Sequence, residues 1–257
     1  MNRPTLALAL ASLAASTGLA HAATFKYADF SNTSAFTFNG VSAPATGVSG
    51  LQVLRLTPNQ GNSSGAAYLS TPLKLGPNDA FETKFQFQIS GTPAQEWSDG
   101  LTFVLTTTPT GIGTGSQTGG SIGYEYDYPS VAVIFDTFRY NNVVAAVTNG
   151  NLTNVTQQPI RSWAYAYGQA DCNRGLPGQS NDGCMIDGDV WTASIKYNGH
   201  LLNAWVEDGT GATYQVITND PIDLSQSIGS GPVYVGFTAG TGLGYANYDV
   251  LNWNMRY

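Results

Sequence analysis

The chain has 257 residues, a formal net charge of −7, and only 11% charged residues against 30 glycines. Such an acidic, sparsely basic chain lacks the cationic patch that neutralises phosphates, which argues against nucleic acid as a partner. No stretch beyond the first 22 residues approaches the roughly 18 apolar residues of a membrane-spanning helix.

The first 22 residues read as a secretory signal rather than as structure. Arg3 supplies a positive start, Leu6 to Leu19 an apolar core rich in small residues, and Ala20-His21-Ala22 a small-x-small cleavage site of bacterial type. A secreted or periplasmic product is expected. Residues 23–257 carry no linker composition and no fixed-period repeat, which predicts a single domain.

Helical periodicity is nearly absent from residues 23–257. Short alternating or apolar runs are separated by Gly, Pro, Asn and Ser, the pattern of a β-sandwich or barrel. Strands are expected over residues 24–30, 36–38 and 51–57. A turn cluster at Asn59-Gln-Gly-Asn-Ser-Ser-Gly65 precedes strands at 66–75 and 80–89. In the latter, Phe81, Thr83, Phe85, Phe87 and Ile89 share one face and Glu82, Lys84, Gln86 and Gln88 the other, which marks a half-buried strand. Another strand follows over 100–107, and then a long Gly/Thr/Ser loop over 109–123.

Val131-Ala-Val-Ile-Phe-Asp-Thr-Phe138 has the near-continuous apolar, β-branched character of a strand buried on both faces. Asp136 breaks that run. A buried carboxylate needs a cation or several donors, so Asp136 is either a metal ligand or a polar residue held by backbone amides. Ile134, Asp136 and Phe138 fall on one side of the strand. Further strands are expected at Val143–Thr148 and residues 191–196. The latter pairs with Leu201–Glu207 across an Asn-Gly hairpin that exposes His200. Strands at 233–239 and 248–255 flank a glycine-rich loop and close the domain. Cys172 and Cys184 border a short Gly- and Asp-rich loop, and a disulfide between them suits an oxidising compartment. The acidic residues of that loop (Asp171, Asp182, Asp187, Asp189) are expected in solvent, and Trp191, Trp205 and Trp253 in the core.

Seven motifs, taken in order, resemble those of the legume-type (L-type) lectins in a secreted bacterial form. Ala67-Tyr-Leu-Ser-Thr-Pro-Leu73, the phenylalanine-alternating strand at 81–89, and Ser98-Asp-Gly-Leu-Thr-Phe103 come first. Gly119-Gly-Ser-Ile-Gly123, the strand at 131–138, the stretch from Val233 to Gly242, and Asp249-Val-Leu-Asn-Trp253 complete the series. The resemblance implies an all-β, concanavalin A-like jelly-roll sandwich of two antiparallel sheets that binds carbohydrate at loops. It assigns sugar hydroxyls to the carboxylate of Asp99, which follows a cis peptide in the family, and a donated backbone N–H to Gly120. It assigns ring stacking to Phe138, with Tyr140 and Asn141 beside it, and monosaccharide choice to the loop holding Gly244 and Tyr245. Tyr245 and Tyr248 are read either as solvated strand aromatics or as stacking platforms.

This sequence departs from the family where its paired metals bind. Ile134 stands in place of the first Glu, and the later Asp and His have no counterpart. The transition-metal site is therefore expected to be lost. A Ca²⁺ ion would have Asp136, the Phe138 carbonyl and Asn141, short of the roughly six to eight oxygens calcium takes. The expected function is a secreted lectin, not an enzyme, with oligomerisation open. Two alternatives stand beside it. One is a structural or adhesive surface protein that has lost sugar binding. The other is a glycoside hydrolase of the same fold using Glu125 and Asp127, which lack the third carboxylate of the usual strand pattern.

Overall fold

The computed structural model describes residues 23–76, 78–92, 98–109, 117–138, 143–152 and 184–257. Its strands, in chain order, are β1 (Thr24–Tyr27), β2 (Phe36–Gly40), β3 (Ala43–Thr46), β4 (Gln52–Thr57), β5 (Ser63–Leu69), β6 (Phe81–Ser90) and β7 (Gly100–Thr106). They continue with β8 (Ser130–Asp136), β9 (Val143–Thr148), β10 (Val190–Tyr197), β11 (Leu201–Glu207), β12 (Thr213–Pro221), β13 (Tyr234–Thr241) and β14 (Asn247–Arg256). A 3-10 turn at Gly119–Ser121 and one helical turn, α1 (Leu224–Ser227), complete the described elements.

These strands form two antiparallel sheets. The larger runs β12-β11-β10-β6-β14-β4-β3, with β1 also on β14, and the smaller runs β2-β5-β13-β7-β8-β9. Aromatic residues from both inner faces meet between them. Phe85 of the larger sheet lies 4.9 Å edge-on to Phe237 of the smaller, and Phe237 lies 4.8 Å from Trp253. Phe87 and Phe135 approach across the same gap at 5.2 Å. Such tilted ring pairs stabilise by about 1 kcal/mol beyond the area they bury.

The alternation expected in β6 is observed over its first half: Phe81, Thr83, Phe85, Phe87 and Ile89 are buried and Glu82 and Lys84 face solvent, but Gln86 is half-buried and Gln88 is buried, donating to the Gly188 carbonyl. β8 is buried at every position, as its apolar run implies. β10 and β11 form the expected hairpin, with Thr192 opposite Glu207 and Tyr197 opposite Leu202.

Four expectations are corrected. Ser63–Gly65 belong to β5 rather than to a turn, because small side chains fit where the strand is buried throughout. Edge strands β3 and β12 appear where no strand is expected. Trp191 and Trp253 are core, but Trp205 is only half-buried and points away from it, alternating with buried Ala204 and Val206. Asp187 is not a solvated loop residue: it accepts a hydrogen bond from the Trp191 indole at 3.1 Å, and burial pushes its carboxyl up to about 6. Cys184 is buried, while Cys172 lies outside the described residues.

Residues 117–129 pack across part of the outward face of the smaller sheet. Thr238 donates to the Ile122 carbonyl at 2.8 Å near one end of this segment, and Thr106 donates to Asp127 Oδ1 at 3.3 Å near the other. Gly123 lets the segment lie against β13: it has φ +70°, and a Cβ there would sit 2.6 Å from the Ala239 carbonyl.

Candidate functional site

The start of β7, the end of β8 and the end of β13 lie at the same end of the smaller sheet, because Gly100 pairs with both Asp136 and Gly240. Asp99 precedes β7 by one residue and is joined to Ser98 by a cis peptide. Its main chain is tied on both sides: its N–H donates to the Gly240 carbonyl at 3.0 Å, and its carbonyl accepts from the Thr137 N–H at 2.8 Å. The carboxylate lies in a setting of backbone. A Cβ on Gly242 would come within 3.1 Å of Asp99 Oδ2 and 3.3 Å of the Gly119 Cα. Glycine at 242 therefore lets three chain segments converge on one carboxylate.

Gly120 is half-buried in the 3-10 turn beside Gly119. Gly244 is buried, and its carbonyl accepts from the Gly242 N–H at 3.1 Å, which folds the loop after β13 back on itself. Tyr245 is half-buried against the position of Gly61, and Leu243 stands 90% exposed at the loop tip.

Asp136 is buried, and its Oδ1 accepts from the Phe138 N–H at 3.0 Å. This is a carboxylate turning the chain as the strand ends. Phe138 follows at the rim with 41% of its surface exposed. Tyr248 is neither a solvated aromatic nor a stacking platform. It is fully buried, and its hydroxyl lies 3.0 Å from that of Thr137. Burial raises its hydroxyl well above the usual tyrosine value, reinforced by the nearby Asp99 and Asp136. Tyr248 is thus a buried post beneath both acids.

Tyr140 and Asn141 lie outside the described residues. Among the described residues, no three His, Cys, Asp or Glu side chains converge as a metal set. Ile134, where the resemblance looks for a carboxylate, is a fully buried aliphatic residue.

Glu125 and Asp127 lie in turns before β8, not on a strand. Glu125 accepts from the Ser121 hydroxyl, whereas Asp127 is buried, and desolvation pushes its carboxyl up to about 7, partly offset by the Thr106 hydroxyl. A buried carboxylate on the underside of a covering segment is poorly placed to flank a glycosidic bond.

The fold brings Asp99, Gly120, Phe138, Asp136, Gly244 and Tyr245 to this end of the smaller sheet, while Tyr140 and Asn141 fall outside the described residues. The sequence alone does not show the positioning roles of Gly242, Thr137 and Tyr248, which hold the others in place. The glycine spacing of Gly240-Thr-Gly242-Leu-Gly244 was the available signal for the first of these.

The sequence model of the legume lectin domain matches residues 22–257. A lectin of Pisum sativum is 28% identical over 224 residues, covering 79% of this chain and 73% of its own. An L-type lectin-domain containing receptor kinase S.7 of Oryza sativa subsp. japonica is 28% identical over 278 residues. That match covers 98% of this chain, which spans only 37% of the kinase. Among solved structures, the Bauhinia forficata lectin in complex with GalNAc has a TM-score of 0.65 at 23% identity, covering 91% of this chain and 97% of its own. That likeness carries the fold.

Proposed function

Because the chain belongs to the legume lectin domain family, we propose that it is a carbohydrate-binding lectin whose sugar site is the Asp99 end of the smaller sheet. The observation that carries this reading is the convergence of Gly119 and Gly242 on the Asp99 carboxylate beside the exposed Phe138 ring. A buried carboxylate with a fixed main chain accepts from two vicinal hydroxyls without reorganising. Backbone at Gly120 donates, and an apolar sugar face lies on Phe138. Tyr140, Asn141, Gly244 and Tyr245 complete the rim in this reading.

The reading includes a degenerate metal site. With Ile134 aliphatic, no transition metal is held, and Ca²⁺ would rest on Asp136, the Phe138 carbonyl and Asn141. Asp99 is instead positioned by the Gly240 carbonyl and the Thr137 amide. Residues 1–22 are taken as a secretory signal, residues 23–257 as one domain, and Cys172–Cys184 as a disulfide of a secreted or periplasmic protein. Hydrolysis is not part of the reading, since Asp127 is enclosed and Glu125 is engaged by Ser121.

A glycan array run once in EDTA and once in excess calcium tests this, with Asp99→Ala alongside. Equal binding in both buffers, lost in Asp99→Ala at an unchanged melting temperature, is the expected result. Binding in calcium alone would restore an ion to Asp136. Binding that survives Asp99→Ala would move the sugar elsewhere.

A further inference from the structure

The outward face of the larger sheet carries a feature the Asp99 end does not use. Strand register places Lys26, Asn254, Lys84, Ser194, Trp205 and Gln215 side by side on six adjacent strands. With neighbouring strands ~4.8 Å apart, this row crosses roughly 24 Å of surface. The next row is Asn252, Gln86, Thr192 and Glu207, in which the Gln86 amide donates to Thr192 at 3.3 Å and accepts from Asn252. Lys26, Lys84, Gln86, Glu207, Asn252 and Asn254 line a groove of about 410 Å³ between these rows.

The charge of this face runs against that of the chain. Lys26, Arg55, Lys84, Lys196 and Arg256 stand on it against Glu82, Glu207 and Asp249, the last held by Arg55, in a protein of net charge −7. Lys196 is paired with Glu82 at 3.3 Å. Among the described residues, Lys26, Lys84 and Arg256 have no ion pair. The large exposed apolar side chains of the described residues are Val41, Val48, Leu51, Tyr126, Tyr128, Phe138 and Leu243, and none stands in these rows. Apart from the half-buried Trp205, these rows lack the apolar centre of a stable protein–protein interface. Cations this few also fall short of the dense phosphate contacts of nucleic acid.

We propose that this face is a second binding surface, separate from the Asp99 end, for an extended glycan bearing carboxylates. Lys26 and Lys84 meet uronate carboxylates. The amides of Gln86, Asn252 and Asn254 exchange hydrogen bonds with hydroxyls. The half-buried Trp205 indole offers a stacking surface further along the row. The chain would thereby hold two glycans at once, a neutral sugar at the loops and an acidic chain on the sheet.

The test is binding of polygalacturonate and of its methyl ester by the purified chain, at low and at high salt. Wild type, Lys26→Glu/Lys84→Glu, Lys26→Gln/Lys84→Gln and Asp99→Ala are compared, with melting temperatures and sedimentation recorded for each. The proposal expects wild type to bind the polyanion and to prefer it over the ester. Salt should weaken that binding, since exposed pairs are screened. Charge reversal should cost about tenfold or more in affinity, neutralisation less, and Asp99→Ala nothing. The face is wrongly assigned if the reversed variant binds as wild type, if wild type ignores polygalacturonate, or if the ester binds equally well. Loss in Asp99→Ala would place the acidic chain at the loops instead. A dimer dissolved by the lysine substitutions would give the face to a second copy. Failure of neutral-sugar binding with polygalacturonate binding intact would sink only the Asp99 reading.

Discussion

The two sheets use their outward faces in opposite ways. On the smaller sheet, outward residues Thr102, Ile134 and Thr238 are fully buried, and residues 117–129 pack across part of that face. On the larger sheet, Lys26, Lys84, Gln215 and Arg256 stand in solvent on the equivalent outward positions. A strand covered on both faces must be apolar or internally bonded throughout, whereas one covered on a single face alternates. The covered face fixes an end of main chain and buried acids, the proposed sugar site. The open face leaves a carpet of amides and lysines.

Matched substitutions test that contrast. Ile134→Ala, on the covered face, should cost about 4 kcal/mol of unfolding free energy in urea, for lost burial and the cavity left behind. Near the far edge of the open face, the Asp249 side chain is buried and accepts two 2.8 Å bonds from Arg55. Burial raises its carboxyl, with Arg55 opposing the shift. Asp249→Ala should therefore cost about 3 kcal/mol, less than Ile134→Ala and far more than its open neighbours. A neutral result would mean the pair adds nothing over a repacked site.

Asp127 sharpens the contrast through pH. Its folded carboxyl is raised from 3.8 to about 7, so the folded state binds the proton more tightly than the unfolded state. Stability from this group is complete below pH 3.8, declines as pH rises, and is gone above about 7. Asp127→Asn keeps the shape without the charge. It should flatten that decline and gain about 2 kcal/mol on the alkaline side, read from urea midpoints across the pH range. Parallel profiles for variant and wild type would show that Asp127 does not titrate in this window. The smallest effect belongs to Lys84→Ala, whose outward position on the larger sheet should change stability by no more than about 0.5 kcal/mol.

Legibility in the sequence followed the same divide. β6 was readable because its residues alternate apolar and polar from Phe81 to Ile89, and one face is covered throughout while the other is open at Glu82 and Lys84. β8 was readable because both faces are covered. β3 was not, because an exposed edge strand holding Pro44 has neither an apolar run nor alternation. β12 slips register against β11 around Ala204, so its period breaks. At the candidate site, Asp99 and Gly120 carry no local signal of their own. Asp99 sits in ordinary turn chemistry, and only the ordered motifs around it single it out. Thr137 and Tyr248 were invisible because their role is a contact between residues 111 apart in the chain.

The most direct test of the account is a crystal structure of the chain with the glycan that binds it best on the array. The account predicts the sugar at the loop end, two hydroxyls on the Asp99 carboxylate, the Gly120 N–H donating, and a ring face against Phe138. A sugar bound with Asp99 untouched would contradict it.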